Sequence, residues 1–76
     1  MNKPRRTRIA ELIDQTEAII EQLEEVLNEE QEYYDNMPEG IQSGEKGDKA
    51  QEAVDALEEA KDALDTVTDS LQIAME

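Results

Sequence analysis

Apolar residues recur at alternating steps of four and three through both halves of this chain, and that spacing limits its fold more than any other feature. In the first half, Ile9, Ile13, Thr16, Ile20, Leu23, Leu27 and Tyr34 follow the pattern, with Glu30 in the one remaining gap. Leu12, Ile19, Val26 and Tyr33 add a parallel row spaced by seven. A mean step near 3.5 residues lines up on one side of an α-helix, whereas a strand alternates with period two. The stripe is wider than the seam of a two-stranded coiled coil, so the helix should touch more than one neighbour. The spacing predicts a helix over about 4–36. Pro4 suits its first turn and Asn2 its cap.

In the second half, Ala53, Leu57, Ala60, Leu64, Val67, Leu71 and Ala74 repeat the four-and-three step. Val54 and Met75 widen this stripe, while Lys61 and Thr68 dilute the same flank. A helix over about 48–73 is expected, or from Gly44 at the earliest, with Ser43 or Asp48 as its cap. Between the halves lies a connector over about 37–47. Asn36 can end the first helix, and Met37 is biased out of helical geometry by Pro38. Pro38-Glu39-Gly40 reads as a turn in which Gly40 is able to take positive φ, with Gly44 and Gly47 loosening the entry to the second helix. No glycine spacing of a phosphate-binding loop is present.

Residues 1–76 therefore read as one all-α domain, an antiparallel helical hairpin. A single hairpin gives each helix only one neighbour and little core. Two hairpins are expected to pair as a dimeric four-helix bundle, with Leu57, Ala60, Leu64, Val67 and Leu71 as the self-association residues.

Composition narrows the chemistry. There is no Cys, His, Phe or Trp. Thiol nucleophiles, imidazole bases and zinc sites built on Cys or His are excluded. The carboxylates are many but alike, whereas acid–base catalysis needs them in contrasting environments. The expectation is a non-enzymatic protein with no catalytic, cofactor or metal residues and no cofactor. No apolar run is long enough to span a bilayer, and the basic N-terminal segment lacks the apolar core of a signal peptide, so a cytoplasmic protein is expected.

Twenty-one acids against seven bases give a net charge of −14. Lys3, Arg5, Arg6 and Arg8 crowd the start, and no base occurs from Ile9 to Glu45. Hairpin geometry would set this basic segment beside Asp69 and Glu76. The charge disfavours direct contact with nucleic acid or an anionic membrane and favours a basic protein surface. Glu17, Glu21, Glu24 and Glu25 form an exposed ladder, the expected partner-binding residues, joined by Tyr33 and Tyr34 beside the turn. The tyrosines have two readings, a plug for the end of the hairpin or a small binding hot spot. Spread over a ~45 Å hairpin, the charge is about one per 3 Å, and about one per 1.6 Å for two hairpins side by side. Duplex DNA carries one per ~1.7 Å. Partial DNA mimicry against a basic nucleic-acid-binding or defence protein follows as one expectation. The alternative is a structural module whose role is homo-oligomeric helix packing.

The run Asp35-Asn36-Met37-Pro38-Glu39, then Ile41-Gln42, then Ser43-Gly44-Glu45-Lys46-Gly47, resembles a turn found in short acidic proteins of bacteria and phages. With the acidic Leu/Ala helix that follows, that resemblance runs from Asp35 to about Ala60, roughly a third of the chain. It implies a helical hairpin, a mobile-element origin and a bacterial host cell, and it brings no assigned activity. By analogy alone, small acidic phage proteins include inhibitors of host nucleases and defence systems.

Overall fold

The computed structural model describes all residues, Met1–Glu76. It is all-helical: α1 runs Lys3–Asp35, α2 Glu39–Gln42 and α3 Glu45–Met75. The two long helices fold back on one another into a rod measuring 58 × 15 × 12 Å.

Local chemistry explains each boundary. Asn2 Oδ1 accepts a hydrogen bond from the Arg5 amide at 2.9 Å, satisfying one of the free N–H groups at the start of α1. Pro4 lies in the first turn, where its missing N–H has no consequence. Asn36 closes the helix, its amide donating to the Glu32 carbonyl at 2.9 Å, and Pro38 prevents continuation. The Gln42 side-chain amide then donates to the Tyr34 carbonyl at 2.8 Å. A residue of the connector thus caps the C-terminus of α1.

The connector differs from its expected form. It contains a single helical turn, α2, started by the Pro38 carbonyl accepting from the Ile41 and Gln42 amides at 2.8 and 2.9 Å. Chain reversal is achieved by this turn, so Gly40 does not take positive φ, and no other residue does either. Helix α3 begins at Glu45, close to the earlier of the two expected starts, with Gly44 and not Ser43 or Asp48 in the cap position and no side-chain cap bond. Ser43 instead ends α2, its hydroxyl donating to the Glu39 carbonyl at 3.2 Å. Asp48 lies within the first turn of α3, where a carboxylate complements the helix dipole. Gly47 is a buried helical residue, not a hinge. A Cβ there would overlap the Gln42 backbone, so glycine is what allows α2 to lie against the start of α3.

The seam between α1 and α3 follows a heptad. Taking its inward positions as a and d, α1 contributes Ile13, Ile20, Leu27 and Tyr34 at a, with Ile9, Thr16, Leu23 and Glu30 at d. Helix α3 contributes Gly47, Val54, Lys61, Thr68 and Met75 at a, with Ala50, Leu57, Leu64 and Leu71 at d. All of these side chains are buried or half-buried. Lys61 and Thr68 therefore lie in the seam itself. The Thr16 and Thr68 hydroxyls donate back to the Leu12 and Leu64 carbonyls at 2.8 and 3.1 Å, so neither is an unsatisfied polar group there.

The core is thin. Only Ile13, Ala50 and Val54 are buried apolar residues, and the leucines of the seam keep part of their surface in water. Few residues approach the full burial that contributes roughly 1.5–3 kcal/mol per large aliphatic side chain. A two-helix rod has no geometry that would bury more.

Candidate protein-interaction surfaces

Lys61 fixes the handedness of the surface. Its ammonium lies 3.8 Å from Glu24 on α1 and 3.4 Å from Asp65 on its own helix. Glu24 and Asp65 therefore share one flank of the seam. Both are e positions, and their rows carry Glu17 and Gln31 on α1 and Glu58 and Gln72 on α3. The g rows must share the opposite flank. On α1 that row is Leu12, Ile19, Val26 and Tyr33; on α3 it is Ala53, Ala60, Val67 and Ala74.

The two flanks differ completely in charge. Every acid of α3 falls at positions b, e or f, three neighbouring rows of one helix face. On α1 the same holds except for Glu29 at c and Glu30 at d. Glu17, Glu21, Glu24 and Glu25 all belong to this acidic arc and are exposed. The ladder expected from spacing is thus a continuous acidic surface, with one qualification. Lys61 emerges from the seam beside Glu24 and partly neutralises it.

The opposite arc, rows g and c, holds one acid, Glu29; row g is apolar along the middle of the rod, row c of α1 carries Gln15 and Gln22, and Arg5, Arg8, Lys46 and Lys49 lie toward the ends. Leu12 is 48 % exposed, Ile19 52 %, Val26 48 % and Tyr33 54 %, unusually high for aliphatic and aromatic side chains that share one row. Beside them on α3 lie Ala56, Ala63 and Ser70 at c, all exposed. The residues expected to drive self-association divide between two surfaces: Leu57, Leu64 and Leu71 face α1, while Ala60 and Val67 lie on this flank. Tyr33 and Tyr34 divide likewise, Tyr34 entering the seam and Tyr33 remaining outside. Tyr33 also borders an open cavity of about 340 Å³ at the turn, with Met37, Pro38, Ile41 and Lys46 among its walls.

None of the three ion pairs involves Lys3, Arg5, Arg6 or Arg8; all are made by Lys49 or Lys61. The basic segment is not neutralised by Asp69 or Glu76. Neither acid forms an ion pair with it. No group of three or more acidic side chains converges closely enough to hold a metal ion. No helix is long and apolar enough to cross a membrane.

Spacing alone had shown the row from Leu12 to Tyr33 but not what lies beside it. The missing signal was the alanine row of α3, which joins that flank only when the seam uses Val54, Lys61 and Thr68. No protein-family model, curated protein or solved structure matches this chain.

Proposed function

We propose that this chain is a non-enzymatic interaction protein that works as a pair of hairpins, a dimeric four-helix bundle with an acidic exterior that engages a basic protein surface. The observation that carries the reading is the segregation of surface types. Apart from Glu29 and Glu30, the acids of the two long helices occupy rows b, e and f, and an uncovered apolar row lies on the opposite flank. A highly charged chain that leaves four large apolar side chains in one exposed row is built to cover them. Covering them with a second copy leaves an exterior dominated by acids, which outnumber bases twenty-one to seven in each chain.

That exterior suits a site that normally holds nucleic acid. Fourteen net charges over 58 Å is one per ~4 Å, and two aligned copies reach one per ~2 Å. The rod is longer than the ~45 Å expected from the sequence, so its density is lower, yet the pair still approaches the ~1.7 Å spacing of duplex DNA. A phage-encoded inhibitor acting as a partial DNA mimic is the sharp form of this proposal. A purely structural module is its rival.

Competition decides between them. Immobilised protein is exposed to bacterial lysate, and bound proteins are eluted by duplex DNA or by stepped NaCl. Mimicry predicts retained proteins that are released by duplex DNA and by moderate salt. Retention of nothing beyond the chain itself, or of proteins that duplex DNA does not displace, leaves the assembly role standing and removes mimicry.

A further inference from the structure

The exposed flank of α1 is self-complementary when read against itself in reverse. Row g runs Arg5, Leu12, Ile19, Val26, Tyr33, with Ile19 at its centre. Row c runs Arg8, Gln15, Gln22, Glu29, with its centre between the two glutamines. The two centres coincide within half a residue, and α1 itself, Lys3–Asp35, has its midpoint at Ile19.

We infer that two hairpins pair through this flank with their turns at opposite ends, about a two-fold axis beside Ile19, so that α1 packs antiparallel on the partner's α1. This rests on the dimeric reading above and specifies its surface and its partner, a second copy of this chain. At a two-fold interface each contact occurs twice with its members exchanged. Ile19 then meets the partner's Ile19, and Leu12 meets the partner's Val26. Gln15 meets the partner's Gln22. Arg8 meets the partner's Glu29, and Arg5 lies over the ring of the partner's Tyr33, an arrangement that attracts a guanidinium.

Three observations favour this occupant. The first is charge. Two bodies of −14 approach with least repulsion through the surface poorest in acids, and rows g and c carry a single acid, Glu29, which this pairing opposes to an arginine. With the turns at the same end, Glu29 would instead lie over the partner's Ala56, and both acidic turns would crowd together. The second is geometry. Rows c and g lie about 100° around the helix from rows a and d, close to the quarter turn that a square four-helix bundle requires. The third is area. A face of about 58 × 15 Å is comparable to the ~800 Å² per partner of a stable interface. The pairing also gives a role to Arg5, Arg8 and Glu29, which the hairpin leaves without ion-pair partners.

The chain contains no cysteine, so single cysteines report the geometry directly. Ile19 is exposed in the hairpin, and Ile19→Cys is not expected to disturb its helicity. Under mild oxidation Ile19→Cys is expected to form a disulfide-linked dimer nearly completely. Leu12→Cys alone is expected not to, because the two copies of residue 12 lie about 20 Å apart. A mixture of Leu12→Cys and Val26→Cys is expected to cross-link. In a second arm, Arg8→Glu should weaken the dimer about tenfold or more, and Arg8→Glu combined with Glu29→Arg should return it to within about threefold. A dimer seen by sedimentation in which Ile19→Cys resists cross-linking overturns the antiparallel pairing and leaves dimerisation standing. A chain that remains monomeric at tens of micromolar overturns both.

Discussion

On one side of the helix seam, Glu17, Glu24, Glu58 and Asp65 face water; on the other, Leu12, Ile19, Ala60 and Val67 do. Both flanks are equally exposed in the hairpin, and both adjoin the same a and d rows. Their difference shows that exposure has two meanings in this molecule. Charged rows are exposed because water solvates them. Apolar rows are exposed because one hairpin has nothing to set against them. The thin core points the same way: a seam with three buried apolar residues leaves much of the stability to be supplied from outside.

The comparison breaks most severely if its seam is removed. Leu64 faces α1, and Leu64→Asp would place a carboxylate between the helices. A loss of about 3 kcal/mol or more is expected, enough to abolish helicity and dimer together by circular dichroism and sedimentation. Next in size is a charge on the apolar flank. Ile19→Glu should weaken association at least about a hundredfold, since it sets two carboxylates across the axis. Its melting temperature should fall below that of wild type at high protein concentration and converge with it on dilution. If Ile19→Glu melts and sediments as wild type does, the flank is not an interface.

Gly47→Ala probes the turn that orients both flanks. The added methyl meets the Gln42 backbone, and a destabilisation of about 1–3 kcal/mol is expected by thermal or urea unfolding, more than an exposed Gly to Ala change in a helix, which would stabilise. The acidic flank should respond in the opposite sense. Combined Glu17→Gln, Glu21→Gln, Glu24→Gln and Glu25→Gln keeps helix propensity and relieves like-charge repulsion. That variant should melt at or slightly above the wild-type temperature yet bind a basic protein more weakly, with a shallower salt dependence. If Tyr33→Ala weakens binding more than this variant does, the contact lies at the turn and not on the ladder. The smallest effect belongs to Lys61. Its half-exposed ion pairs contribute about 0–1 kcal/mol, and Lys61→Leu should leave stability equal or slightly raised.

The helices and their stops were legible from particular residues. Asn2, Pro4, Asn36 and Pro38 each act as their local chemistry requires, because caps and breakers depend on neighbours within a few positions. Gly47 was not legible. Glycine ordinarily marks a turn, and here it marks a close approach between Gln42 and α3 that exists only in the folded chain. Gly40 misled for the same reason, since a one-turn helix replaced the glycine turn. The choice of seam on α3 was also hidden. Leu57, Leu64 and Leu71 fit two frames, one completed by Ala60 and Val67, the other by Lys61 and Thr68. Hydrophobicity prefers the first. The structure uses the second for the hairpin and leaves Ala60 and Val67 of the first outside, where the proposed pairing would cover them. The acidic ladder was readable as a pattern, but its separation from an acid-poor flank depends on how the two helices face each other.

Sedimentation equilibrium of the wild-type chain between about 1 and 100 µM, in moderate salt to suppress charge non-ideality, tests the central claim that the acid-poor flank is an interface between copies. The account predicts a mass rising to twice 8.6 kDa across that range, with Ile19→Glu remaining at 8.6 kDa throughout. A wild-type chain that stays helical and holds at 8.6 kDa up to 100 µM would contradict it.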